Sequence, residues 1–100
     1  MQVTKEKNNG VLVVNVAGRL DASTAPQFEE DVMGDLADVM ELYFDIENLE
    51  YISSAGLRIL LLSHKTMANK RGKFVVRHPR DAVVEILEMT GFSDFLTIEK

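Results

Sequence analysis

The chain reads as an α/β domain: a mixed β-sheet that opens with an N-terminal antiparallel hairpin and has helices packed on it. Three observations predict this. Asn8-Asn9-Gly10 is a hairpin turn signal, since Asn and Gly accept positive φ. After it, short runs rich in β-branched and aromatic residues alternate with stretches whose apolar residues recur at helical spacing. Each helical stretch has one apolar stripe, which suits packing on a sheet. With 100 residues there is enough chain for one domain and not for two, so residues 1–100 are assigned to a single domain.

The elements follow in order. Residues 2–7 form a weak strand candidate, and residues 11–17, rich in valine, form a strand with at least one buried face. Gly18-Arg19-Leu20-Asp21 then leaves the sheet. Thr24-Ala25-Pro26-Gln27 starts a helix, with Thr24 and Gln27 as the two halves of a capping box and Pro26 in the tolerant first turn. Phe28, Val32, Leu36 and Val39 continue it at helical spacing, with Gly34 costing about 1 kcal/mol relative to Ala. Residues 42–46 form a short strand ending near Asp45, followed by a loop. A long helix begins after Ser53, with Leu57, Leu60, Leu61, His64 and Met67 or Ala68 on one side and Gly72 as its C-cap. Residues 73–77 are the next strand. Pro79 opens a third helix, with Val83, Ile86, Leu87 and Thr90 inward and Gly91 ending it. A turn or short helical piece at residues 92–95 leads to a last strand at 96–99. The order is β-β-α-β-α-β-α-β, which right-handed βα units turn into a mixed sheet with an antiparallel edge.

Composition narrows the function. There is no cysteine, which excludes disulfides and thiolate metal sites and is compatible with the cytosol. The net charge of −5 argues against a nucleic-acid binder and against docking on anionic lipid. No apolar run approaches the ~18 residues of a membrane span, and no signal peptide is read at the N-terminus, so a cytoplasmic protein is expected. His64 reads as a core-edge histidine and His78 as a loop residue; with two scattered histidines, no metal and no cofactor are expected. Glu29, Glu30 and Asp31 read as a solvated face, and Met33, Met40, Met67 and Met89 as core filler. No enzyme is read either. The chain has no G-x-S-x-G, no Gly-rich phosphate loop and no dinucleotide fingerprint. Asp45 ends a strand, as a receiver-domain phosphoacceptor would, but residues 11–17 lead into Gly18-Arg19 rather than an acidic pair.

The most informative stretch runs from Asp45 to Arg58. It places Ser53 and Ser54 at a helix N-terminus, where free N–H groups and the positive end of the dipole favour added negative charge. Serine is also favoured there as a plain cap. Ala55 and Gly56 are small enough for a partner to approach the backbone closely, although Gly56 could equally let the helix pack tightly on the sheet. Asp21 has two open readings, as a turn residue before the helix or as part of a partner surface near Ser54. Arg58 is a solvated helix residue or an interface residue one turn past Ser54.

Four segments add a family resemblance. Gly18-Arg19-Leu20-Asp21 with Thr24-Ala25, Asp45-Ile46-Glu47-Asn48-Leu49, Ser54-Ala55-Gly56-Leu57, and Glu88-Met89-Thr90-Gly91-Phe92 with Phe95 stand in the order and spacing of a STAS domain. The chain resembles the bacterial anti-sigma factor antagonist type over nearly its whole length. The resemblance implies partner switching. The unphosphorylated protein, a monomer when free, binds an anti-sigma factor that is also a serine kinase and so frees the sigma factor. Phosphorylation releases it, and a serine phosphatase resets it. The phosphoacceptor falls on Ser54, with Asp21, Ser53, Ala55, Gly56 and Arg58 on the partner-binding surface. The family usually has Asp where this chain has Ser53, and Ser53 offers a second hydroxyl as the phosphoacceptor. The alternative is a non-switching STAS docking module of a transporter or signalling assembly.

Overall fold

A computed structural model describes residues 1–100. The strands are β1 (Gln2–Asn8), β2 (Val11–Leu20), β3 (Glu41–Ile52), β4 (Lys73–Arg77) and β5 (Thr97–Glu99). The helices are α1 (Ala25–Met33), α2 (Ser54–Asn69) and α3 (Asp81–Met89), with a 3₁₀ turn at Phe92–Asp94. The hairpin closes where expected, with Asn9 (φ 50°) and Gly10 (φ 80°) both left-handed, the backbone that matches strand twist.

The sheet order is β1-β2-β3-β4-β5, with β1 antiparallel and every other pair parallel. Each crossover therefore steps one strand in the same direction. With right-handed crossovers, this puts all three helices on one face. Burial agrees. On the covered face, Leu12, Val14 and Val16 of β2 and Leu42, Phe44 and Ile46 of β3 are buried with Phe74 and Val76 of β4. Phe28 of α1 meets Phe44 edge-on at 5.6 Å, and Phe44 meets Phe74 at 4.9 Å. The opposite face has no helix. Tyr43 is nevertheless buried there, because the Arg77 guanidinium lies 3.9 Å over its ring and its hydroxyl donates to Glu41 Oε1 at 2.5 Å.

Several expectations need correction. β2 does not leave the sheet at Gly18; it runs on to Leu20, paired with β3. β3 does not end near Asp45 either. Two one-residue register shifts carry it to Ile52: Asn15 pairs with Asp45 but Ala17 with Asn48, and Gly18 pairs with Leu49 but Arg19 with Tyr51. Each shift places an extra residue in β3, a β-bulge that resets the in–out alternation. Ile46, Leu49 and Ile52 can thus all be buried at a spacing of three. The charged residues between them had the look of a loop.

α1 stops at Met33, with Gly34 as its C-cap, so Leu36 and Val39 are buried from a turn region rather than a helix. On α2 the buried residues are Gly56, Leu57, Ile59, Leu60, Ser63 and Met67, while Ala68 is exposed. Gly72 is not the αL cap; Arg71 takes the left-handed turn at φ 58°. Glycine at 72 is a matter of space, since a Cβ there would lie 2.7 Å from Met67 Cε and 2.9 Å from the Met40 carbonyl oxygen. Thr90 is exposed at the end of α3, where its hydroxyl donates to the Ile86 carbonyl at 2.7 Å. Met67 is core, but Met40 and Met89 are exposed. No helix is long and apolar enough to cross a membrane.

Candidate functional site

The site forms where β2 and β3 end together. Leu20 and Ile52 are paired, and the Ser53 N–H donates to the Leu20 carbonyl at 2.9 Å. Asp21 follows Leu20 on one strand and Ser53-Ser54 follow Ile52 on the other, so the parallel pairing brings these segments to one edge. Ser53 holds the N-cap position in extended conformation, and its carbonyl accepts the Leu57 N–H at 2.9 Å. Its side chain makes no cap bond. Ser53 Oγ is shielded from solvent without a hydrogen-bond partner. Ser54, the first residue of α2, is exposed. Two adjacent hydroxyls thus have opposite settings.

Gly56 explains the difference. It is buried, and a Cβ there would sit 2.7 Å from Ile52 Cγ1 and 2.8 Å from Leu20 Cγ. The first turn of α2 therefore lies against the two strand ends, with Ser53 at the seam and Ser54 on the open side. Gly56 was expected on the partner surface. The structure turns it into the interior, where its role is close packing.

Asp21 builds the neighbouring turn. Its Oδ1 accepts the Ser23 hydroxyl at 2.6 Å, the Ser23 N–H at 3.0 Å and the Thr24 N–H at 3.3 Å. The bond from the Ser23 hydroxyl, then that from the Ser23 N–H, holds the Asp21 carboxyl below its ordinary 3.8, against a smaller opposing effect of burial. The Thr24–Gln27 capping box does not form. Thr24 Oγ1 donates to the Arg19 carbonyl and accepts the Asp21 N–H, both at 2.9 Å, while Gln27 reaches Asp31. Asp21 caps this turn, so its turn reading is the one the hydrogen bonds support. Arg19 lies 3.9 Å from Asp21 Oδ2 and stacks over Tyr51 at 4.4 Å.

A shallow groove runs between the starts of α1 and α2, lined by Ala22, Ala25, Pro26, Glu29, Ala55 and Arg58. Arg58 Nη2 pairs with Glu29 Oε1 at 2.5 Å, linking the two helices. Of the expected residues, Ser54, Ala55 and Arg58 lie at or beside this groove and Asp21 leads into it. Glu29 was read as part of a solvated face. Its link to Arg58 spans 29 residues and had no local signal. The first turn of α2 has no acidic residue and no side-chain cap, so no side chain of the helix's own first turn offsets its positive end.

The histidines are less scattered than the sequence suggested. His78 Nδ1 lies 3.2 Å from Asp45 Oδ2, and with Glu47 the three side chains bring ligand atoms within 4.8 Å of one another. These residues are the ones that could hold a metal ion. The Asp45–His78 pair and the Glu47 N–H to Asp45 Oδ1 bond (3.2 Å) already account for their arrangement. His64 packs at the core edge against the Phe95 ring, 5.0 Å away.

Comparison with known proteins bears on this arrangement. Residues 2–100 match the STAS domain family. BtrV of Bordetella bronchiseptica, a proposed anti-sigma factor antagonist, is 31% identical over 92% of this chain and 80% of its own. The anti-sigma-B factor antagonist of Listeria monocytogenes is 27% identical over 95% of this chain and 84% of its own. The crystal structure of an anti-sigma factor antagonist from Mycobacterium paratuberculosis superposes with a TM-score of 0.88 at 28% identity, covering 98% of this chain and 84% of that one. With the family match spanning nearly every residue and the fold shared, the chain belongs to the STAS domain family.

Proposed function

We propose that this protein is an anti-sigma factor antagonist that works by partner switching. In its unphosphorylated form it binds an anti-sigma factor that is also a serine kinase, using Ser54, Ala55, Arg58 and the Asp21 turn. The bound sigma factor is thereby freed in the cytoplasm. Phosphorylation of Ser54 ends the complex, and a serine phosphatase restores it. The protein's part is binding; the catalytic steps belong to its partners. Relatives named as anti-sigma factor antagonists support the role.

The observation that carries the switch is the contrast at the start of α2. Ser54 is exposed, whereas Ser53 Oγ is shielded. A phosphate on Ser54 would add about −1.5 to −2 charge. The helix N-terminus tolerates it, so the fold survives and the effect falls on the partner. Like charges brought together across an interface cost several kcal/mol. At about 1.4 kcal/mol per tenfold, a cost of about 3 kcal/mol weakens binding roughly 100-fold.

The test is incubation with the candidate kinase and Mg-ATP, then mass spectrometry of wild type, Ser53→Ala and Ser54→Ala. Wild type and Ser53→Ala should each gain one phosphate and Ser54→Ala none. Phosphate kept on Ser54→Ala and lost on Ser53→Ala would overturn the assignment. No phosphate on any form, with a kinase shown to be active, would favour the non-switching docking module.

A further inference from the structure

We infer that Arg58 takes up the phosphate of Ser54, giving up Glu29 to do so. This rests on Ser54 being the phosphorylated residue. Arg58 follows Ser54 by four residues on α2, so the two side chains share a face, with Cβ atoms about 5–6 Å apart. An acid placed one turn before a base is the favourable direction for such a pair. Both residues are exposed, so Arg58 can move without disturbing the core.

Arg58 is now held by a single contact. One nitrogen, Nη2, meets one Glu29 oxygen, and the guanidinium makes no other side-chain bond. A phosphate offers three acceptor oxygens and up to twice the charge, and it suits the guanidinium's paired donors. The exchange leaves the Glu29 carboxylate bare on the α1 side of the groove. One covalent event at α2 then makes both sides of the groove more negative, the Ser54 side by the phosphate and the α1 side by losing its cation.

Arg58 lies on α2, Glu29 on α1, and Arg19 with Asp21 at the end of β2. Arg19 is the rival cation. It is engaged by the Tyr51 ring at 4.4 Å and by Asp21 at 3.9 Å.

The experiment uses protein with phosphoserine installed at position 54 during synthesis, so that the result does not depend on any kinase. The phosphate is titrated by ³¹P NMR in otherwise wild-type protein, Arg58→Ala, Arg58→Lys and Arg19→Ala. In Arg58→Ala the phosphate should titrate about 0.3 pH unit higher than in wild type, the size expected of one exposed helix pair. Arg58→Lys should restore most of the difference, and Arg19→Ala should titrate with wild type. The Arg58 Nε–H resonance should move with the same midpoint as the phosphate. Identical titration of wild type and Arg58→Ala, a larger rise in Arg19→Ala, or an Arg58 resonance that stays still would each overturn the inference. Whether a kinase chooses Ser54 is read separately by the mass spectrometry described above.

Discussion

Gly56→Ala should destabilise the protein, although alanine is the better helix former. The added methyl would sit 2.7 Å from Ile52 Cγ1 and 2.8 Å from Leu20 Cγ. Both atoms are interior carbons of buried side chains rather than free ends, so neither can swing aside. The start of α2 must lift off the strand ends instead. Relieving glycine in a helix gains up to about 1 kcal/mol. Overpacking a filled site costs about 1–3 kcal/mol, and two contacts under 3 Å place this case toward the upper end. The net loss is about 1–2 kcal/mol, or roughly 4–16 °C in Tm for a domain of this size. Urea unfolding of Gly56→Ala, Leu20→Ala and the double variant would measure it. In the double variant the room left by Leu20 should remove most of the Gly56→Ala penalty, a coupling of about 1–2 kcal/mol. If Gly56→Ala is as stable as wild type, or if the two changes add without coupling, the packing account of Gly56 is wrong.

Two further outcomes follow from the structure. Lys70 reaches back from the end of α2 to the Leu36 carbonyl and, at 2.9 Å, to the Val39 carbonyl, tying down the segment between α1 and β3. Lys70→Met keeps the stem but leaves those carbonyls without their charged donor, and should cost about 1.5–3 kcal/mol in urea unfolding; a loss below 0.5 kcal/mol would show the tie to be incidental. Asp35 and Asp38 are held below the ordinary 3.8 chiefly by hydrogen bonds from Lys5 and Lys7, as Asp21 is by Ser23. Carboxyls depressed on folding contribute stability that is full above 3.8 and lost as pH falls through their folded values. Tm should therefore drop below about pH 4, and NMR titration should place all three midpoints under 3.8; a midpoint at or above 3.8 for any of them would contradict its bonding.

The hairpin and the β-β-α-β-α-β-α-β order were legible because local rules carry them. Asn8-Asn9-Gly10 needs only the φ preferences of its own residues, and Val11–Ala17 needs only β-branched side chains in a row. The errors came where a distant partner overrides the local pattern. Glu47, Asn48 and Glu50 look like loop residues, yet the pairing of Asn48, Leu49, Tyr51 and Ile52 with β2 keeps the whole stretch in the strand. Leu36 and Val39 sit at helical spacing, yet α1 ends at Gly34 and their burial comes from a turn. Thr24 and Gln27 spell a capping box, but Asp21, held by the end of β2, provides the turn's bonds instead. At the candidate site, the helix start with its two serines was visible in the chain. The Glu29–Arg58 pair and the groove beneath it were not, because the residues come from different helices.

By itself, the sequence determined which elements exist, the acidic surface, the absence of cysteine chemistry and the place of two hydroxyls at the start of a helix. These depend on residue type and short-range spacing, which the chain states directly. Only the tertiary structure decided how open each of the two hydroxyls is to solvent. The first turn of α2 lies on Leu20 and Ile52 with a glycine at the contact, and this shields Ser53 Oγ while leaving Ser54 open. Neighbours in sequence differ in exposure because the strand ends beneath them block one side of the helix and not the other.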